Sequence, residues 1–407
     1  MSPTATPAPA PTAAPAPTAA PEPTPAREPG DLGCAEGIDG IALAGIDGTF
    51  IAVFARAAGA NPSAVEAVRF DAEGRALDLQ PLTIQGTGGE QNPSFTIGGA
   101  AIRDDAFYLA SIGSHSFDNG AWEQRVEGLA VPTTGLITAA AETLASHFPI
   151  GACRSVLTGD VGLATSVAGN DVHTALSWGA ICAGDTGYMI EWIVGIPGAP
   201  TGPGPAPVSG SRGAAALATG SAESAGIYFV QDYGPGGSVT TTSLAGGWIE
   251  AANQEPFVLS TVESALSYSP ALAAADQTFL AAWTSAPASG GNDPTELRLL
   301  RFTYADGRLD PEGGVVVAGD GILGQPRIAA RDGRFLVVWT EDSGGIRRLK
   351  SVEFPADSIG TPTPTTVALL DPASVIALAA TGEAAFVGYI IAGEGSETCV
   401  RVQELGD

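Results

Sequence analysis

The chain has few basic residues, few histidines and few cysteines, and each shortage argues against a class of function. Lys and Arg number 18 against 44 Asp and Glu, which gives a formal net charge of −26 at pH 7. A nucleic acid would meet a like-charged body, and the only basic cluster is Arg347, Arg348 and Lys350, so we expect no nucleic-acid partner. Three histidines and four cysteines without a Cys-x-x-Cys pair argue against a zinc site.

The chain also lacks an apolar run of the roughly 18 residues that a membrane helix needs, so we expect no transmembrane segment. Residues 2–30 are nearly all Pro, Ala and Thr, a composition typical of extended polyproline II. We therefore predict a disordered stalk over residues 1–30 and one folded, monomeric domain over residues 31–407. Such a stalk favours an extracellular or cell-surface protein, lipid-anchored or exported through a segment upstream of Met1. The alternative is a disordered cytosolic tail.

What the chain does have is a repeat. Residues 270–283 and 326–339 align position by position, each with a small-residue strand, an Asp-led turn and an apolar strand that ends in Trp. This pattern predicts a β-hairpin. Glycine (54) and proline (31) are plentiful and long amphipathic helical patterns are missing, so the sequence predicts an all-β fold.

Weaker copies of the hairpin occur at residues 41–54, 96–111, 163–178, 214–231 and 375–389. The second strands of all seven hairpins are spaced by about 50 to 67 residues, a repeat length typical of propeller blades. They carry the anchor residues Phe50, Phe107, Thr174, Ile227, Phe279, Phe335 and Phe386. More polar third strands follow, two of which end in Arg69-Phe70 and Arg301-Phe302. The pattern resembles the degenerate blade repeats of secreted bacterial β-propellers over residues 34–407. It predicts seven four-stranded blades; a pair of stacked β-sandwiches is the alternative.

The four cysteines, Cys34, Cys153, Cys182 and Cys399, allow three pairings. In a closed ring the N-terminal segment completes the last blade beside the C-terminal strand, which places Cys34 next to Cys399. Cys153 precedes the inner strand of the third blade and Cys182 follows its second strand, so both lie on the same face. We therefore predict the disulfides Cys34–Cys399 and Cys153–Cys182 and an oxidising compartment. Four free thiols in a cytosolic protein are the alternative.

One predicted loop, residues 114–122, carries His115, Asp118 and Trp122 close together, which makes it a candidate ligand site. Its Ser116-x-Asp118-x-Gly120-x-Trp122 pattern resembles the Asp box of sialidase-type propellers but is one residue shorter. An Asp box is a structural turn, so the resemblance does not predict sialidase activity. No Gly-x-Ser-x-Gly turn presents a nucleophile, so the sequence identifies no catalytic residue.

Acidic residues follow the second strands of the repeats. The loops after these strands should open on one face of the ring, and they carry Asp118, Asp185, Asp232, Asp293, Glu341, Asp342 and Glu394. The resulting acidic rim predicts a binding face; ordinary turn chemistry is the competing explanation. We expect no cofactor, with Ca²⁺ as the one candidate.

Two functions follow from this pattern. The first is a binding module for a glycan, peptide or protein ligand, which would use the acidic loop face. The second is an extracellular polysaccharide hydrolase or lyase, and a hydrolase requires two carboxylates about 5 to 9 Å apart in the channel mouth. Trp122 and Trp248 are the tryptophans that would stack on a sugar.

Overall fold

The molecule is described by a computed structural model. It describes residues 29–58, 61–86, 91–116, 122–138, 141–147, 153–157, 162–165, 172–182, 188–194, 216–233, 239–248, 257–263, 267–287, 293–305, 308–371 and 374–406. These residues form strands and turns, and none of them is helical. The prediction of an all-β chain is confirmed.

The first half of the chain begins with β1 (Asp31–Glu36), which pairs with the last strand of the chain. Three antiparallel sheets follow. Sheet 1 contains β2 (Ile38–Ile46), β3 (Thr49–Ala58), β4 (Asn61–Asp71) and β5 (Leu82–Gly86); sheet 2 contains β6 (Gln91–Arg103), β7 (Ala106–Ser116), β8 (Trp122–Pro132) and β9 (Glu142–His147); sheet 3 contains β10 (Cys153–Leu157), β11 (Gly162–Thr165), β12 (Val172–Cys182) and β13 (Tyr188–Val194).

The second half repeats the pattern four more times. Sheet 4 contains β14 (Ala216–Thr219), β15 (Ser224–Tyr233), β16 (Val239–Trp248) and β17 (Phe257–Glu263); sheet 5 contains β18 (Ser267–Ala275), β19 (Thr278–Ser285), β20 (Glu296–Ala305) and β21 (Arg308–Ala318); sheet 6 contains β22 (Ile322–Leu323), β23 (Arg327–Arg331), β24 (Arg334–Ser343), β25 (Ile346–Pro355) and β26 (Thr365–Leu370); sheet 7 contains β27 (Ile376–Ala380), β28 (Ala385–Ala392) and β29 (Glu397–Glu404), with β1 as its fourth strand.

The first strands of the sheets contact one another in a closed cycle. The order is β2, β6, β11, β14, β18, β23, β27 and back to β2. In sheets 3 and 6 the first strand has two pieces, β10 with β11 and β22 with β23, which pair with different parts of one second strand. Sheets arranged radially around an axis define a β-propeller, so the predicted fold class is confirmed. The described residues contain seven such sheets, and seven blades for the whole chain stay a prediction.

The two ends of the ring carry different turns. At one end, which we call the AB face, the first strand of each sheet turns into the second, as at Asp332 and Gly333. At the other end, the BC face, the second strand turns into the third, as at Gly344 and Gly345. The AB turns confirm the Asp-led hairpins. Asp47, Asp276 and Asp332 have φ of 45°, 56° and 48°, the left-handed region that Asp tolerates better than most residues.

Stacked phenylalanines at the repeat anchors form the contacts between sheets. Phe50 stacks on Phe70 with ring centroids 5.3 Å apart, and Phe386 of sheet 7 meets both rings edge-on at 4.9 and 5.2 Å. The same group recurs in sheet 5, where Phe279 stacks on Phe302 at 5.3 Å and Trp248 of sheet 4 meets Phe279 edge-on. Trp248 is therefore a core residue. Each aromatic group closes the gap between two sheets.

The Arg-Phe ends of two third strands add a polar link between sheets. Arg69 forms a buried ion pair with Asp78, with Nη2 and Oδ1 2.6 Å apart, and its Nη1 donates to the carbonyl of Pro132 in sheet 2 at 3.0 Å. Arg301 lies at the same place in sheet 5 and donates to the carbonyl of Ala356, just after β25 of sheet 6, at 2.7 Å. The sequence similarity between these two ends thus reflects a repeated contact between neighbouring sheets.

The ring closes as predicted. Strand β1 pairs with β29, and Cys34 lies opposite Cys399, to which it is joined by a disulfide. Two backbone hydrogen bonds extend the closure, from Gly30 N to the Gly74 carbonyl at 2.9 Å and from Val402 N to the Gly30 carbonyl at 2.8 Å. The predicted Cys34–Cys399 disulfide is confirmed. β10 and β12 pair with Cys153 directly opposite Cys182. The side chains of these two cysteines lie outside the part of the chain that the structure describes, so the Cys153–Cys182 disulfide stays a prediction.

Candidate functional site

Several predicted site residues lie in strands, where the sequence had placed them in loops. Glu341 and Asp342 belong to β24, Asp232 to β15, His115 to β7 and Trp122 to β8. The loop assignment was wrong because cross-strand pairing continues to these positions, as in the pairs Asp342↔Arg347, Asp232↔Thr241 and Ser116↔Trp122.

The remaining members of the predicted rim divide into two groups. Asp293 and Glu394 lie in exposed turns on the BC face. Asp118 and Asp185 fall outside the described residues. The ligand-binding role of all these residues stays a prediction.

One of these residues, Glu341, lines a cavity. Glu341 is 6% exposed and lines a cavity of about 230 Å³ between sheets 5 and 6. The other walls come from the end of β21 and the link that follows it, from β24 and β25, and from the residue before β26; the polar and aromatic lining residues are Asp320, Trp339, Glu341 and Lys350. The sequence gives no direct sign of this cavity, because its walls come from separate parts of the chain.

The cavity holds opposite charges beside an aromatic wall. Glu341 Oε1 and Lys350 Nζ are 3.9 Å apart, and the side chains are 7% and 18% exposed. Trp339 lies directly opposite Lys350 on the neighbouring strand and is buried. The space thus offers a carboxylate acceptor and an ammonium donor, with a buried core tryptophan in its wall.

A glycine keeps this space open. A Cβ at Gly319 would lie 2.5 Å from Leu323 Cδ2 and 3.4 Å from Glu341 Oε2. The Gly319 amide is fixed by a 2.8 Å hydrogen bond to the carbonyl of Thr295, so the backbone is held against the cavity. A side chain at this position would push on Leu323 and narrow the approach to Glu341.

Asp342, the neighbour of Glu341, makes a different contact. Its Oδ2 lies 3.7 Å from Arg347 Nη2, and both side chains are partly exposed. Arg347 Nη1 also donates to the carbonyl of Ser374, two residues before β27 of sheet 7, at 3.4 Å. Asp342 is therefore part of a link between sheets 6 and 7 and does not line the cavity.

A second polar cluster, which the sequence did not reveal, lies near the AB face of sheet 2. The buried Tyr108 hydroxyl donates to Glu142 Oε1, Arg103 Nη1 lies 3.1 Å from the same oxygen, and the guanidinium lies 5.3 Å from the Tyr108 ring centroid. Burial, together with the bond to Glu142, raises the pKa of Tyr108 well above its usual range. A nucleophilic phenol requires the opposite shift, so this cluster is a structural contact.

Among the described residues, no group of three or more His, Cys, Asp or Glu is placed to hold a metal ion. Within the same residues, no helix is long and apolar enough to cross a membrane.

The sequence matches no protein-family model and no curated protein. Solved structures with a similar chain path include a Trypanosoma rangeli sialidase in complex with the inhibitor DANA, at TM-score 0.44 and 10% identity over 90% of this chain and 55% of that one. The chain thus spans about half the length of the sialidase.

Two further structures cover most of both chains. One is a GH43_1 enzyme from Xanthomonas citri, at TM-score 0.36 and 12% identity over 92% of this chain and 89% of that one. The other is a Penicillium chrysogenum α-L-arabinanase complexed with arabinobiose, at TM-score 0.44 and 9% identity over 90% and 93%. At these TM-scores the likeness is remote, so function has to be argued from the residues of this chain.

Proposed function

We propose that this propeller is a carbohydrate-binding module that holds one neutral sugar unit in the Glu341 cavity. The observation that carries the proposal is the pairing of a buried carboxylate and an ammonium group at one open space. A sugar hydroxyl both donates and accepts hydrogen bonds, so it can bridge Glu341 and Lys350.

Size and charge narrow the ligand. Pockets for drug-sized ligands span roughly 300 to 1,000 Å³, so a cavity of about 230 Å³ suits a smaller unit such as one residue of a glycan chain. The formal net charge of −26 disfavours the approach of anionic polymers. A neutral linear glycan is therefore the ligand class that the cavity favours.

Isothermal titration calorimetry with cello-, xylo- and mannohexaose tests this proposal. We expect one of these neutral hexasaccharides to bind, and Glu341→Gln and Lys350→Met each to weaken binding roughly ten- to a hundredfold, because each removes a charged hydrogen-bond partner. Glu353→Gln is the control, since Glu353 lies on the same strand as Lys350 but pairs with Arg334 at 2.8 Å, away from the cavity. Wild-type protein that binds none of the neutral glycans would contradict the proposal.

Hydrolysis of the bound glycan is a second candidate, because two carboxylates, the exposed Asp320 and the buried Glu341, line the same cavity. In such a reaction one carboxylic acid protonates the glycosidic oxygen, and the other carboxylate takes a proton from the water whose oxygen bonds to the anomeric carbon. If the protein is a hydrolase, reducing-sugar assays should show turnover that Asp320→Asn abolishes while binding persists. Binding without turnover would exclude hydrolysis and support the carbohydrate-binding module.

A further inference from the structure

The Glu341 cavity has a counterpart at the seam of the ring. A space of about 270 Å³ lies where β1, the last strand of sheet 7, meets sheet 1. Its lining residues include Ala35, Phe54, Arg56, Glu66 and Pro81. We call it the seam cavity.

Cross-strand register shows that the two cavities occupy the same position in the repeat. Phe54 lies four residues after the anchor Phe50 and opposite Glu66, just as Trp339 lies four residues after the anchor Phe335 and opposite Lys350. The aromatic wall of one cavity thus corresponds to the aromatic wall of the other.

The outer walls correspond as well. Pro81 and Pro364 directly precede the fourth strands β5 and β26. Ala35 and Ala318 lie on the fourth strand of the preceding sheet, opposite Thr398 and Glu296 near the beginnings of the third strands. The two spaces are therefore equivalent in position from wall to wall.

The charged pair is conserved in position but reversed in sign. Arg56 Nη2 and Glu66 Oε1 are 3.1 Å apart, and Glu66 is the buried partner, with 10% of its side chain exposed against 46% for Arg56. The basic group now stands on the second strand and the carboxylate on the third. Because a hydroxyl both donates and accepts, it can bridge the pair in either orientation.

Open space at these positions is not a general consequence of the fold. The equivalent position between sheets 1 and 2 is lined by Ser111, Glu127 and Ala141, and the free volume there is only about 10 Å³. Side chains have closed that space, whereas two other junctions remain open and charged. The open junctions are therefore properties of particular residues.

We infer that the seam cavity is a second sugar site, and that the protein holds one linear neutral glycan at two points near its BC face. The inference rests on the proposed function for its ligand class. Both cavities lie near the ends of second strands, which point to the same face, and sheets 6 and 7 lie between the two junctions. Two linked contacts on one chain bind a polymer more tightly than either contact alone.

Matched cavity-filling variants test the inference. Ala35→Leu should fill the seam cavity and Ala318→Leu the Glu341 cavity, because the two alanines are equivalent. In calorimetry with the hexasaccharide that binds, wild-type protein should take up two molecules, each single variant one, and the double variant none. A polysaccharide of the same sugar should bind wild-type protein at least tenfold more tightly than either single variant. Unchanged thermal melting would show that each variant is folded.

Removal of the Cys34–Cys399 disulfide gives a second, independent test of the seam site. Residues 33–35 of β1 form one wall of the seam cavity, and the Cys34–Cys399 disulfide fixes that wall. Cys34→Ser with Cys399→Ser should weaken the seam site and leave the Glu341 site intact.

The calorimetry separates failure of the second site from failure of the proposed function. If wild-type protein binds one molecule, and Ala318→Leu abolishes that binding while Ala35→Leu does not affect it, the second site is overturned and the proposed function stands. No binding at all would overturn both.

Discussion

At the residue scale, buried charge is used where sheets meet. Arg69 and Asp78 are both nearly inaccessible, with side chains 7% and 9% exposed, and are joined by hydrogen bonds at 2.6 and 3.0 Å. Asp78 also accepts the backbone amide of Arg69 at 2.8 Å. Such a pair is costly to break, because the remaining charge stays buried without its partner.

Arg69→Met should lower the free energy of unfolding by about 3 to 5 kcal/mol, since it leaves Asp78 buried and unpaired. Urea unfolding measures the effect. Arg75→Met is the matched control, because Arg75 forms ion pairs with Asp71 and Glu73 on the exposed surface, and surface pairs contribute little. Equal losses in the two variants would refute the role of burial. Replacing Asp78 by Leu in the Arg69→Met background should restore part of the stability.

Tyr108 makes stability depend on alkaline pH. The unfolded chain releases the tyrosine proton near pH 10, whereas burial and the bond to Glu142 hold the folded-state pKa of Tyr108 above that value. Above about pH 10 the folded state therefore binds more protons than the unfolded state, and the free energy of unfolding falls as pH rises. Guanidinium unfolding between about pH 9 and about pH 11 should show a smaller decline in Tyr108→Phe than in wild type. Parallel declines would exclude Tyr108 as the source.

At the element scale, a hairpin turn can contact a neighbouring sheet as well as reverse the chain. The Asp276 side chain accepts a hydrogen bond from the Ser221 hydroxyl of sheet 4, and the Asp276 carbonyl accepts the Ser221 amide at 2.9 Å. Asp332, in the equivalent turn of sheet 6, has the same left-handed backbone. The two turns differ in what they contact and can be compared directly.

Asp276→Gly should destabilise the protein by about 1 kcal/mol more than Asp332→Gly, because it also deletes the hydrogen bond to Ser221. Glycine adopts the left-handed conformation freely, so the backbone itself loses little in either variant. Ser221→Ala provides the control. In the Ser221→Ala background the hydrogen bond is already absent, so Asp276→Gly should cause less further destabilisation there than in wild type. Thermal melting of wild type, Asp276→Gly, Ser221→Ala and the double variant measures the coupling, with Asp332→Gly melted alongside them.

The same scale shows what the sequence could and could not predict. Hairpins were predictable because Asp-led turns and small or apolar strands leave a local trace, and every predicted hairpin has its two strands in the structure. Strand ends were not: Glu341 and Asp342 read as loop residues because acidic side chains are common in turns, but β24 stays paired with β25 through Ser343. The cavity was unpredictable for a related reason, because its Val317 and Ala318 wall belongs to sheet 5 and meets Glu341 of sheet 6 only through packing between sheets.

At the scale of the whole molecule, the disulfide joins residues 365 positions apart. The cysteine pairing was predictable because a ring brings the two ends of the folded chain together. Cys34→Ser with Cys399→Ser should lower the free energy of unfolding by up to about 5 kcal/mol, mainly by releasing a constraint on the unfolded chain. Differential scanning calorimetry of the variant and of reduced wild-type protein should give the same lowered melting temperature. An unchanged melting temperature would show that β1 closes the ring without covalent help.

The direction of β1 also determines how the molecule responds to a mechanical pull. The chain enters at Gly30 on the AB face, and β1 runs from there toward the BC face, antiparallel to β29. A pull on Gly30 directed away from the AB face would therefore act along the axis of β1 and load its hydrogen bonds to β29 in shear. Only Asp31 to Gly33 can slip before Cys34 stops the movement through a covalent bond to Cys399. A tether at this end would hold the ring shut under load and present both cavities away from the point of attachment.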